Sequence, residues 1–111
     1  MERKTITLCG STRFKKYFEH ANAHLTKKGF LVFSCAIWGH SGDEITEEEK
    51  NHLDEVHLSK IDKSDIVFVV DIDHYIGAST KKEIEYAKSK GIEVIRWSSP
   101  ASLDKLDNPF K

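Results

Sequence analysis

The sequence predicts an α/β fold, a parallel sheet with helices on both faces, and three observations carry that prediction. Strand-like and helix-like segments alternate along most of the chain, the pattern of right-handed crossover units. One run, Ile66-Val67-Phe68-Val69-Val70, is apolar at every position, as a central parallel strand covered on both faces must be. Gly29 and Gly91 stand where helical periodicity stops, the usual place for a helix-ending glycine. With 111 residues, 39% hydrophobic and 32% charged, the chain has the composition of one folded domain with a single modest core and not of a disordered segment.

Each element has its own signal. Thr5-Ile6-Thr7-Leu8 is a short β-branched strand, followed by Gly10 and a polar turn. Arg13 to Lys28 carries Phe14, Tyr17, Phe18, Ala21 and Leu25 at helical spacing. Phe30-Leu31-Val32-Phe33 is a second strand, and a loop of small and polar residues runs from Ser34 to Glu44. Thr46-Glu47-Glu48-Glu49 reads as a capping box. The helix it opens is expected to reach about Asp62, with Leu53, Val56, His57 and Ile61 in its inward stripe. Its acids fall at the start and Lys60 and Lys63 near the end, as the helix dipole prefers. After the central strand comes the loop Asp71–Ala78, then a helix capped by Ser79 or Thr80 and ending near Lys90. Glu93–Trp97 is the fourth strand. The domain is therefore expected to span 1–111, with a core over 5–97 and an irregular tail over 98–111.

Charge and cysteine usage exclude several classes of function. Seventeen basic and eighteen acidic residues leave a net charge of −1, which argues against a general electrostatic grip on nucleic acid or an anionic membrane. No apolar run approaches the roughly 18 residues of a membrane span, and Met1–Lys4 leads into a strand instead of a signal-peptide core. Cys9 and Cys35 are too few for a secreted disulfide framework, so a cytoplasmic protein is expected, with both sulfurs as small buried hydrophobes.

In open parallel sheets, ligands bind at the carboxyl ends of the strands near the reversal of strand order. That rule nominates Cys9–Arg13, Ser34–Asp43 and Asp71–Thr80. In the first loop Gly10 permits close backbone approach, Ser11 and Thr12 offer hydroxyls, and Arg13 offers a planar anion-binding fork. The plainer reading is a helix cap and a surface arginine. Ile76-Gly77-Ala78-Ser79-Thr80 is a second small-residue approach to a helix N-terminus, and two such cradles would suit a phosphorylated small molecule. No G-x-G-x-x-G or Walker motif is present. Glu83 falls in the expected first turn of the third helix, where a helical wheel sets it beside the inward face of Thr80, Ile84 and Ala87, while Glu85 points outward with Lys81 and Lys82. Its plainer explanation is the general preference for acids in first turns. His57 reads either as a half-buried structural residue or as a catalyst, and His20 and His24 read as a solvated helix face. Trp38, His40 and Tyr75 could stack on a base or cover the rim of the core.

Three segments together resemble the nucleoside 2-deoxyribosyltransferase superfamily: Ile6-Thr7-Leu8-Cys9-Gly10-Ser11-Thr12-Arg13, Ser64-Asp65-Ile66-Val67-Phe68-Val69-Val70, and Glu83-Ile84-Glu85-Tyr86-Ala87 ahead of Gly91. The first is closest to the 2′-deoxynucleoside 5′-phosphate N-hydrolases, and segment 60–80 also resembles a bacterial and phage branch known only as deoxyribosyltransferase-like. The resemblance implies a three-layer Rossmann- or flavodoxin-like fold with four to five parallel strands, a homodimer, and cleavage of the N-glycosidic bond of a nucleoside or its monophosphate. Glu83 matches the family's glutamate nucleophile. Cys9, Gly10, Ser11 and Arg13 match its sugar- and phosphate-binding loop, and Gly77, Ser79 and Thr80 its second phosphate contact. Asp71 and Trp38, in the ligand-side loops, complete the expected substrate-binding set. Where the family has an aspartate eight residues before Asp65 this chain has His57, with Asp54 nearly a turn earlier as a substitute.

The chemistry fits these residue types. Departure of a base builds positive charge on the sugar, and a carboxylate beside C1′ stabilises or traps it. His57 is able to protonate the leaving base. No metal or redox cofactor is called for. The expectation is a nucleotide N-glycosidase with Glu83 and His57 as its catalytic pair. The alternatives are a nucleoside deoxyribosyltransferase, a non-catalytic nucleotide sensor, or an interaction domain docking through the acidic helix segment Thr46–Glu55.

Overall fold

The computed structural model describes residues 3–35, 42 and 44–98. They form a four-stranded parallel sheet in the order β2-β1-β3-β4. The strands are β1 (Thr5–Gly10), β2 (Leu31–Phe33), β3 (Ile66–Val70) and β4 (Glu93–Trp97), connected by helices α1 (Lys15–Lys27), α2 (Glu47–Asp62) and α3 (Ala78–Ser89). The fold class is the one expected, an α/β three-layer arrangement.

Pleating divides the apolar residues of the central strands between two cores. Ile6 and Leu8 of β1 and Ile66, Phe68 and Val70 of β3 face α1, where they meet Phe18, Ala21 and Leu25. Cys9, Val67 and Val69 face the other way, against Ile61 of α2 and Ile84 and Ala87 of α3. β3 is buried at all five positions because it contributes to both. At about 25 cal/mol per Å² of apolar area removed from water, these contacts are the main source of stability.

Several boundaries differ from the sequence reading, each for a local reason. β1 runs on to Gly10 because its pairing with β3 continues through Cys9–Val69 and Gly10–Val70. The expected helix from Arg13 begins as a 3-10 turn, Thr12–Phe14, capped by Ser11, whose Oγ accepts from the Arg13 amide at 3.3 Å. Neither Ser79 nor Thr80 caps α3; Gly77 is its N-cap and no side chain closes the first turn. Val56 is 49% exposed instead of lying in the inward stripe, since only the C-terminal part of α2 reaches the sheet and Ile61 is its one buried residue. The capping box is as expected: Thr46 Oγ1 accepts from the Glu49 amide at 3.1 Å and Glu49 accepts from the Thr46 amide at 2.9 Å. No described helix is long and apolar enough to cross a membrane.

Candidate functional site

Strand order 2-1-3-4 reverses between β1 and β3, so the crossover after β1 leaves to one face and the crossover after β3 to the other. A crevice follows at their carboxyl ends. Gly10 closes β1 there with φ +146°, and a Cβ at this position would run into the carbonyl oxygen of Val70. That close strand approach explains the glycine without reference to a ligand.

On the α2–α3 side, three side chains from three elements converge. Cys9 is held by its register with Val69. Its Sγ lies 3.1 Å from His57 Nε2, supplied by α2, and the same nitrogen lies 3.5 Å from Glu83 Oε1, supplied by α3. The His57 and Glu83 side chains are 16% and 18% exposed. Since α3 starts at Ala78, Glu83 stands in its second turn and the first turn holds no acid. The dipole preference for first-turn acids therefore does not account for Glu83.

Burial dominates the electrostatics of the cluster. It raises the Glu83 carboxyl from 4.5 to about 7, with the negative charge of Asp54 adding to the effect. It lowers His57 from 6.5 to about 4; the positive charge of Lys60 adds and Asp54 opposes. It raises the Cys9 thiol well above its ordinary value, with Glu83 and then Cys35 contributing. Near neutral pH the sulfur is thus a thiol, the imidazole is uncharged and the carboxyl is near its midpoint. The Cys9 S–H, or a protonated Glu83, can donate to His57 Nε2 when the ring proton is on Nδ1. His57 is thereby uncharged near neutral pH and a hydrogen-bonding partner within the cluster.

The expected anion-binding residues divide into two groups. The Arg13 guanidinium carbon lies 4.0 Å from the centroid of the Tyr75 ring, and Phe14 packs edge-on against the same ring. Tyr75 in turn has its hydroxyl 3.8 Å from where a Cβ on Gly77 would stand. The turn after β1 and the approach to α3 therefore meet through Tyr75. Ser79 is exposed at the start of α3. Two residues of the expected set are buried. Thr80 is 3% exposed, turned into the helix–sheet interface. Asp71 is fully buried and engaged in structure: its Oδ2 accepts from Arg96 Nε at 2.7 Å and also pairs with Arg96 Nη2, while its Oδ1 accepts from Ser98 Oγ at 2.9 Å. Asp73 and His74, both at positive φ, are held in the same loop by amide bonds to Ser98 and Asp71 carbonyls. Trp38 and His40 lie outside the described residues.

Sequence reasoning missed Lys60 and Arg96. Lys60, one turn after His57, donates to the Ser34 carbonyl at 3.0 Å and acts electrostatically on both His57 and Cys35. Arg96 carries a usable signal, a cation between Ile95 and Trp97 late in β4. His20, assigned to a solvated face, is exposed and stacks on Trp97 with ring centroids 6.4 Å apart. A polar depression around Arg3 and Thr26–Phe30 lies by the amino ends of the strands, away from the crevice. Among the described residues, Cys9, His57 and Glu83 are the one set of three sulfur, nitrogen and carboxylate donors, within 4.8 Å of one another, that could hold a metal ion.

Among solved structures, the chain is similar to the CMP N-glycosidase BcmB of Clostridium botulinum, with a TM-score of 0.59 over 95% of this chain and 84% of that one. The two chains share a fold. Identity between them is 19%, so the likeness extends to architecture and not to individual residues. No protein-family model matches the chain, and no curated protein does so.

Proposed function

We propose that this chain is a nucleotide N-glycosidase of the nucleoside 2-deoxyribosyltransferase type, acting on a (deoxy)nucleoside 5′-monophosphate. The observation that carries the proposal is Glu83, a poorly exposed carboxyl outside any first turn, clustered with His57 and with Cys9 near the carboxyl end of β1, the end of the sheet at which this topology binds ligands. The shared fold with a CMP N-glycosidase supports the substrate class.

The chemistry follows from the environment. Ionised Glu83 attacks or stabilises C1′ as the C–N bond breaks, the bonding electrons leaving with the base, which takes up a proton. Water then adds at C1′, releasing the sugar phosphate and restoring the carboxylate. A carboxyl with a pKa of about 7 is only partly ionised at neutrality, so turnover is expected to rise with pH through that value. With its ring proton on Nε2, uncharged His57 faces ionised Glu83 as a donor, 3.5 Å away. Gly10, Ser11 and Arg13 on one side, with Gly77 and Ser79 on the other, bind the phosphate, so that remote binding energy orients the reacting carbon.

The test is incubation of the full chain with a panel of nucleoside 5′-monophosphates, CMP included, with free base followed by chromatography. Base release by wild type, lost in Glu83→Gln, is expected. Release no greater than that of Glu83→Gln refutes the reaction. Base exchange in the presence of a second free base would make the chain a deoxyribosyltransferase. A second reading, a nucleotide sensor, is favoured by His57 standing where the family has an aspartate. Tight binding of an unaltered nucleotide in calorimetry would support it. The resemblance also carries a homodimer, which sedimentation at several concentrations tests.

A further inference from the structure

We propose that Cys9, His57 and Glu83 form a binding site for a borderline-soft divalent cation of the zinc class, one ion per chain. Donor type argues for that class. One sulfur, one imidazole nitrogen and one carboxylate oxygen make the mixed set that zinc and cobalt accept. Magnesium and calcium instead demand shells made almost wholly of oxygen.

Spacing agrees. In tetrahedral zinc sites with bonds of about 2.0–2.3 Å, neighbouring donor atoms stand about 3.3–3.7 Å apart. Sγ and Nε2 are 3.1 Å apart, Nε2 and Oε1 are 3.5 Å apart, and the sulfur and a Glu83 carboxylate oxygen lie within 4.8 Å, so the carboxylate must close toward the sulfur for all three to meet on one ion. The three donors belong to a strand and two different helices, which excludes the sequence-adjacent clustering that charged surface residues show by chance. Cys9 is anchored in the sheet and 1% exposed, which makes it a fixed point for the shell; the ion binds its thiolate, and the thiol proton is released to solvent as the metal–sulfur bond forms. The nearby charges are mixed: Asp54, exposed on α2, adds negative charge near Glu83 and His57, and Lys60 adds positive charge near His57, so the donor set and not the surrounding field carries the site. Three protein ligands leave a fourth position for water or a ligand atom.

The consequence for catalysis rests on the nucleotide reading: an ion bound by Glu83 occupies the carboxylate that C1′ requires, so zinc inhibits base release. The binding itself does not rest on that reading, and it is tested without substrate. Metal-free full-length chain, kept reduced with a phosphine, is titrated with Co²⁺ and followed by absorption. The expected result is a thiolate-to-cobalt charge-transfer band that saturates at one equivalent and is displaced by Zn²⁺. The band is lost in Cys9→Ser and kept in Cys35→Ser, and His57→Asn weakens binding by about tenfold or more. Circular dichroism verifies that each variant is folded. If Cys9→Ser does not fold, His57→Asn and Cys35→Ser carry the decision. No band in wild type, an undiminished band in Cys9→Ser, undiminished affinity in His57→Asn, or loss of the band in Cys35→Ser overturns the proposal. Base release that zinc leaves unchanged, in a protein that shows the cobalt band, refutes the assignment of Glu83 to both roles while leaving the metal site standing.

Discussion

Glu83 and His57 are expected to give folding stability opposite dependences on pH, and removing either one should expose the other. Glu83 titrates at about 7 in the folded chain and at 4.5 when unfolded, so between those values the folded state holds a proton that the unfolded state has lost. Stability then falls as pH rises, by about 1.4 kcal/mol per pH unit. His57 titrates at about 4 folded and 6.5 unfolded, so between those values the unfolded state holds the extra proton and stability rises with pH at the same rate. Each group is therefore linked to up to about 3 kcal/mol, and from pH 4.5 to 6.5 the two slopes cancel in wild type. Glu83→Gln leaves the rising slope of His57; His57→Gln leaves the falling slope of Glu83. Urea unfolding followed by far-ultraviolet circular dichroism, with a chelator present, reads both. The difference between the two variants, in which all other titrations cancel, should change by about 5 kcal/mol from pH 4.5 to 6.5. Half that would still exceed the extrapolation error of about 10–15% in a domain of ordinary stability. Parallel curves for the two variants would refute the argument that burial sets the protonation of this pair.

Gly10→Ala forces a Cβ against the Val70 carbonyl at φ +146°, and is expected to cost at least about 2 kcal/mol in urea unfolding. Asp71→Ala removes the acceptor for Arg96 and Ser98; with Arg96 45% exposed and able to turn to water, the expected loss is about 2 kcal/mol. Nucleotide affinity of the folded Asp71→Ala protein, measured by calorimetry, should match wild type. A stability-neutral variant with weakened affinity would return Asp71 to the ligand.

The architecture was legible because its signals are local. Five β-branched or aromatic residues in a row point to a strand covered on both faces, and Thr46 with Glu49 to a helix start; β3 and α2 stand there. The helical wheel likewise turned Thr80, Ile84 and Ala87 inward with Glu83 beside them, and all three are buried. The site was legible only in part, because its contacts are made by the fold. Cys9 and His57 are 48 residues apart, and nothing near either one signals that β1 and α2 will bring them together. Asp71 showed the same limit in reverse: its loop marked it for a ligand, but the folded chain gives it Arg96, 25 residues on. Val56 failed because periodicity reports which residues share a stripe and not how far along the helix that stripe stays covered.

Cys9 sits on a strand of the sheet, in register with Val69 of β3, whereas His57 and Glu83 ride on helices packed against the sheet through side chains. The crevice has a stiff floor and two adjustable walls. A guest too large or too small cannot move the sulfur, so accommodation must come from α2 and α3 shifting over the sheet. Substitutions remote from any ligand, at Ile61 or Ala87 where those helices rest on it, should therefore retune selectivity more readily than changes beneath the guest itself.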